Sequence, residues 1–210
     1  MCLSNHIDHL VLAGGDLETG IERFHERLGV RPVMGGRHPG WGTWNAIVGL
    51  GDRCYLELIA PDPTSDLPAH LRPEIFTGED SFRLKGWLAA VERPEGIRQR
   101  LLAGGVDPGR ILDGSRELPD GGRLEWSLSD PMVRIMDGVV PLMIDWGHSS
   151  HPADGAPSGC HLKSLVLEHP ESAAANGILG MMDLPASVMG GSCPLLRATL
   201  ATPNGEVVLG

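Results

Sequence analysis

Aromatic residues are scarce, 4% of 210, with five Trp, three Phe and a single Tyr. A hydrophobic fraction of 41% still suffices for a sizeable core. A cationic excess is also missing. The formal net charge is −10 at pH 7, which argues against nucleic acid and anionic membrane as partners. No run of about 18 apolar residues occurs, so no membrane span is expected. Cysteine is sparse and scattered: Cys2, Cys54, Cys160 and Cys193 form no C-x-x-C pair. That pattern predicts reduced thiols in a cytoplasmic protein rather than a disulfide framework. The segment Met1–His6 lacks the basic and apolar regions of a signal peptide, which points the same way. G-x-S-x-G, P-loop and H-E-x-x-H motifs are absent, and the glycine-rich stretch lacks Rossmann spacing, so no nucleotide cofactor is expected.

What the chain has instead is glycine and proline, 29 and 17 residues, the mark of many short elements and turns. The length predicts a single domain over 1–210. His6 to Ala13 reads as a strand ending at Gly14-Gly15. Asp16 is a good N-cap for a helix carrying Leu17, Ile21, Phe24 and Leu28 at helical spacing, stopped by Gly29. Val30 to Met34, Trp44 to Leu50 and Cys54 to Ala60 follow as strands. After a Pro- and Asp-rich connector over 62–82 the order starts again. Leu84 to Val91 is strand-like, Pro94 opens a helix through Leu102, and Ile111-Leu112, Leu124 to Leu128 and Val139 to Trp146 supply three strands. A second linker, His148 to Ser158, precedes a third opening. His161-Leu162-Lys163-Ser164-Leu165-Val166-Leu167 resembles His6-Ile7-Asp8-His9-Leu10-Val11-Leu12, and a helix from Glu171 and paired strands around Pro203-Asn204-Gly205 follow. Units over 5–61 and 83–147 with a partial third over 160–210 are expected; chance similarity of two strand openings is the alternative.

Residues 35–51 with the run 55–62 are the most informative stretch. A glycine-rich loop carrying His38, Thr43 and Asn45 lies before an apolar strand with Glu57 at its middle. A carboxylate in such a run is costly to bury unless something pairs with it. Glu57 is therefore a pocket residue or a carboxylate bonded to a neighbour. His9 alternates with Ile7 and Val11 on an apolar face, and reads either as a satisfied core histidine or as a ligand. Thr43 and Asn45 share one strand face and offer a hydroxyl and an amide, for a substrate or for ordinary strand-edge bonds. His38 is expected at an exposed pocket rim, as an acid/base or oxygen-clamping group or as a solvated histidine. On that placement, His38→Ala should change stability by less than about 1 kcal/mol. Trp41, Trp44 and Trp146 line a pocket or simply pack. Asp145 is a ligand or caps the turn before Gly147. His148, His151 and His161 read as solvated.

A repeated β-α-β-β-β unit with His in its first strand and Glu in its last resembles the vicinal oxygen chelate superfamily. Ile7-Asp8-His9-Leu10-Val11-Leu12, Gly36-Arg37-His38-Pro39-Gly40-Trp41-Gly42-Thr43-Trp44-Asn45, Tyr55-Leu56-Glu57-Leu58-Ile59-Ala60 and Ile144-Asp145-Trp146-Gly147 look like its glyoxalase-like subgroup. The resemblance implies an α+β fold whose repeated units curl around a pocket. It implies a divalent metal held by His9, Glu57 and Asp145, with Glu57 and His38 in catalysis and His38, Thr43, Asn45 and Trp146 on substrate. The position matching His9 in the second unit falls at Gly86, so that ligand set is incomplete. The implied function is metal-assisted isomerase, lyase or dioxygenase chemistry on a small oxygen-rich molecule. The alternative is a metal-free small-molecule binding or sequestering protein. A homodimer is left open.

Overall fold

The computed structural model describes residues 6–73, 81–117 and 122–210. The first part of the chain runs β1 (Ile7–Ala13), α1 (Leu17–Leu28), β2 (Val33–His38), β3 (Thr43–Gly49) and β4 (Tyr55–Pro61). The second repeats the order as β5 (Arg83–Ala90), α2 (Pro94–Ala103), β6 (Ile111–Glu117), β7 (Arg123–Ser129) and β8 (Leu142–Asp145). The eight strands form one sheet in the order β2-β3-β4-β1-β5-β8-β7-β6. Each half is wired alike. β1 pairs parallel with β4, as β5 does with β8, and the halves join through the antiparallel β1–β5 pair. The two outer strands, β2 and β6, approach each other, so the sheet curls nearly into a barrel.

The helix boundaries follow from local chemistry. The Asp16 carboxylate accepts the Thr19 amide at 2.7 Å, and Gly29 ends α1 in the left-handed region at φ 73°. Leu17, Ile21, Phe24 and Leu28 form its buried stripe. Pro94 occupies the first turn of α2, where its missing N–H costs nothing.

β1, β3 and β4 are buried on both faces, and alternation divides their residues. Leu10, Leu12, Ala46, Val48, Leu56 and Leu58 face outward into a core shared with the helices. His9, Val11, Thr43, Asn45, Tyr55 and Glu57 face the concave side. A second apolar cluster around Val11, Leu88, Trp126 and Ile144 lines that concave side.

The remaining elements are β9 (His161–His169), α3 (Ser172–Met181), β10 (Met189–Gly190), β11 (Leu195–Thr202) and β12 (Gly205–Leu209). They keep the order of the earlier units but not their pairing. β9 lies between β10 and β11 in a separate four-stranded sheet, β10-β9-β11-β12. Leu167, Leu179, Leu196 and Leu200 pack into the same outer core as α1 and the first sheet. Among the described residues no helix is long and apolar enough to cross a membrane.

One sequence expectation shifts. β2 was placed at Val30 to Met34 but runs from Val33 to His38, through the stretch read as a loop. Its ladder with β3 skips from Met34 opposite Ala46 to Gly36 opposite Asn45, leaving Gly35 as a bulge. The glycines there make room for side chains. A Cβ on Gly35 would lie 2.3 Å from Asn45 Oδ1 and 2.8 Å from Arg116 Nη1, and one on Gly36 would lie 3.0 Å from Arg116 Cδ.

Candidate functional site

The concave side holds a cavity of about 140 Å³, close to the roughly 150 Å³ apolar cavity that accepts benzene. Trp41, Trp126 and Trp146 with Val11, Leu88 and Leu128 make its apolar wall. His9, His38, Thr43, Asn45, Glu57 and Arg116 form a polar group in its lining, and Lys85, Ser129 and Arg134 line it as well.

Glu57 is 7% exposed. Its Oε1 accepts the Asn45 amide Nδ2 at 2.5 Å, and its Oε2 lies 3.6 Å from His9 Nε2. The His9 ring stacks on Tyr55, centroids 4.4 Å apart at 19°. Behind His9 sits Asp8, 1% exposed. The β1–β5 register shifts between Ile7 and His9, so Asp8 occupies a bulge, a device that re-aims a side chain. Asp8 Oδ1 accepts His9 Nδ1 at 2.7 Å, and Oδ2 accepts the Trp146 indole N–H at 2.9 Å and His151 Nε2 at 3.1 Å.

Burial pushes the Asp8 carboxyl up, but the bonds from His151 and His9 outweigh it and leave the group at about 2. An ionised carboxylate only accepts, so both imidazoles carry hydrogen on the nitrogen facing it. His151 Nδ1 accepts the Ala153 amide at 3.2 Å. His9 is turned with Nε2 toward Glu57.

His38 closes β2 and is buried, not an exposed rim residue. Its Nδ1 is 3.0 Å from Thr43 Oγ1, and Trp41 and Trp126 meet the ring edge-on at 6.0 and 6.2 Å. Burial pulls its pKa below 6.5, only partly offset by the Glu57 charge. The small effect expected for His38→Ala is therefore replaced by a larger one. Because the folded state resists the proton that the unfolded state takes up, stability is full above about pH 6.5 and falls as pH drops below it. His38→Gln should flatten that fall relative to wild type, read as urea midpoints between about pH 7.5 and 5. An unchanged slope would remove His38 from the account.

The structure brings His9, His38, Thr43, Asn45, Glu57 and Trp146 to one cavity. Asp145 does not belong there, which corrects its assignment as a metal ligand. Its Oδ2 accepts the Arg93 amide at 3.0 Å and its Oδ1 the Gly147 amide at 2.9 Å, so both oxygens cap backbone. His151, read as solvated, is a buried partner of Asp8. The counterpart of Glu57 is Leu142. Val11 pairs with Glu57 in β1–β4, and Leu88, two residues past Gly86, pairs with Leu142 in β5–β8. The second unit thus offers no side chain at Gly86 and an apolar one at Leu142. Among the described residues no group of three or more His, Cys, Asp or Glu is placed to hold a metal ion. His9 and Glu57 alone do not fit the closed or three-ligand divalent sites that metalloenzymes build.

Two site residues escaped the sequence reading, Asp8 and Arg116. Arg116 reaches over Gly35 and Gly36 from β6 and is 8% exposed. Its Nη1 and the Asn45 Oδ1 are buried without a hydrogen-bond partner. Burial lowers the guanidinium pKa, against the pull of Tyr55 and Glu57. The available signal was parity: Leu112, Gly114 and Arg116 share a face of a strand paired to Leu124–Leu128.

No curated protein sequence matches the chain. Among solved structures, a hypothetical protein from Staphylococcus aureus is 14% identical with a TM-score of 0.65, covering 96% of this chain and 83% of that one. A methylmalonyl-CoA epimerase from Mycobacterium tuberculosis is 19% identical, TM-score 0.41, covering 67% and 85%. A methylmalonyl-CoA epimerase in complex with methylmalonyl-CoA and NH4+ is 17% identical, TM-score 0.45, covering 70% and 98%. At 14% identity the likeness to the first of these is one of fold. The model of the glyoxalase-like domain matches residues 7–180. With the paired units curled around a pocket that carries His9 and Glu57 on neighbouring strands, the chain belongs to the glyoxalase-like domain family of the vicinal oxygen chelate superfamily.

Proposed function

We propose that the chain binds a small, largely apolar carbonyl compound in this cavity and moves a proton between its carbon skeleton and Glu57. The observation that carries the reading is the commitment of Glu57: Asn45 holds one carboxylate oxygen, and the other stands 3.6 Å from His9 Nε2 among the polar residues of the cavity lining. A positioned carboxylate with one oxygen in reserve is what a general base requires. Glu57 Oε2 takes the proton from a carbon beside the carbonyl. The C–H electron pair becomes the new C–C π bond, and the carbonyl π pair moves to oxygen, giving an enolate. Return of the proton to carbon restores the carbonyl and the carboxylate. Asp8 holds His9 so that Nε2 faces Glu57, and the tryptophan wall keeps water from the reacting carbon. Isomerase and lyase chemistry share this step. No step runs through a metal, because the donor set does not fit one.

A second reading, binding without turnover, is favoured by the second unit, whose contribution at Gly86 and Leu142 is inert. One experiment separates them. Phenylacetone in D2O, followed by proton NMR, reports exchange of the protons beside its carbonyl. Wild-type protein should exchange them faster than buffer, with or without EDTA. Saturation transfer from protein to phenylacetone without exchange selects the sequestering reading. Exchange abolished by EDTA overturns the metal-free route.

A further inference from the structure

Arg116 has no part in that proton transfer, yet it is a buried cation in the cavity wall. A guanidinium stays charged at any ordinary pH. Burying one with an N–H unpaired is expensive, and buried charges are normally paired and hydrogen-bonded. Here Glu57, whose charge acts on the guanidinium, gives its Oε1 to Asn45 and faces His9 with its Oε2, and Nη1 keeps no partner among the described residues. Two glycines in β2 leave the space that lets the side chain cross from β6 into the wall. Glu57 acts on the guanidinium without a hydrogen bond to it, and a bonded counter-charge is one a ligand can bring.

We propose that Arg116 seats an anionic head, a carboxylate, on a ligand whose apolar body lies between Trp126, Trp146 and Leu88. A carboxylate against the part of the guanidinium that lines the cavity would supply its counter-charge, and the planar fork suits two carboxylate oxygens. Glu57 Oε2, which Asn45 does not hold, stays available for chemistry at the adjoining carbon. The inference rests on reading this cavity as a ligand pocket, but not on turnover there.

The test uses three probes of one shape and different charge: benzoate, benzyl alcohol and benzylamine, titrated calorimetrically into the full-length protein. Benzoate should bind wild type about 10-fold or more tighter than benzyl alcohol, and benzylamine weakest. Arg116→Gln should remove the benzoate advantage while leaving benzyl alcohol within about 2-fold, and Arg116→Lys should keep part of it. Should neither variant fold, a benzoate advantage kept in both Lys85→Gln and Arg134→Gln supports Arg116 as the seat, and its loss in either overturns the proposal. Equal binding of benzoate and benzyl alcohol overturns the proposal. So does equal loss of both in Arg116→Gln, which marks a structural residue, and so does failure of all three to bind, which removes the pocket with it. Phenylacetone exchange without head-charge selectivity would sink this inference and leave the proton-transfer reading standing.

Discussion

Replacing Asp8 by Ala should destabilise the protein by about 3–5 kcal/mol, the cost of breaking a buried network at its charged member. One carboxylate accepts from His9, His151 and Trp146, and its loss strands three donors where water cannot replace it. The urea midpoint at pH 7 reads the effect. A drop of less than about 1 kcal/mol would mean that these donors find other partners. The same network gives an acid signature. Asp8 falls from its ordinary 3.8 to about 2, so its contribution is complete above about pH 4 and is lost as pH falls toward 2. By linkage it amounts to about 2 kcal/mol. The stability gap between wild type and Asp8→Ala should narrow over that window.

Glu57→Gln should slow phenylacetone exchange by about 10²- to 10⁴-fold, the usual worth of a positioned general base. Gln keeps the shape and an oxygen for the Asn45 amide, so folding and ligand contact survive while the basic oxygen is gone. Affinity for phenylacetone, measured by saturation transfer, should change by less than about 3-fold, since uniform binding is not what the substitution removes. Exchange retained within about 3-fold of wild type would assign the base to another group.

The element order was legible because it rests on local chemistry. The Asp16 cap, the stripe Leu17-Ile21-Phe24-Leu28 and the left-handed Gly29 are all written in consecutive residues. So was the inward parity of His9 and Glu57, which follows from strand alternation once β1 and β4 are found. What was not legible depends on register and on crossings between distant strands. The bulge at Asp8 turns a residue of the wrong parity toward His9. The bulge at Gly35 carries β2 through to His38 and buries that residue. Arg116 enters only because β2 and β6, at opposite ends of the sheet, come together. Asp145 reads equally as ligand or turn cap until the amides of Arg93 and Gly147 are seen to claim it. Likewise, β9–β12 repeat an order without repeating its pairing, a distinction that short motifs do not carry.

The two halves of the curled sheet contribute unequally. His9, His38, Thr43, Asn45 and Glu57 all come from the first; the second gives Leu88, Trp126, Leu128, Leu142 and the cations Lys85, Arg116 and Arg134. The proton-handling residues are therefore encoded on one stretch of chain and much of the apolar wall on another. Substitutions in β5–β8 can remodel the ligand's outline while the proton-handling residues keep their geometry. A selection for new ligands should accordingly collect its changes between residues 83 and 146 and leave the first sixty residues nearly untouched.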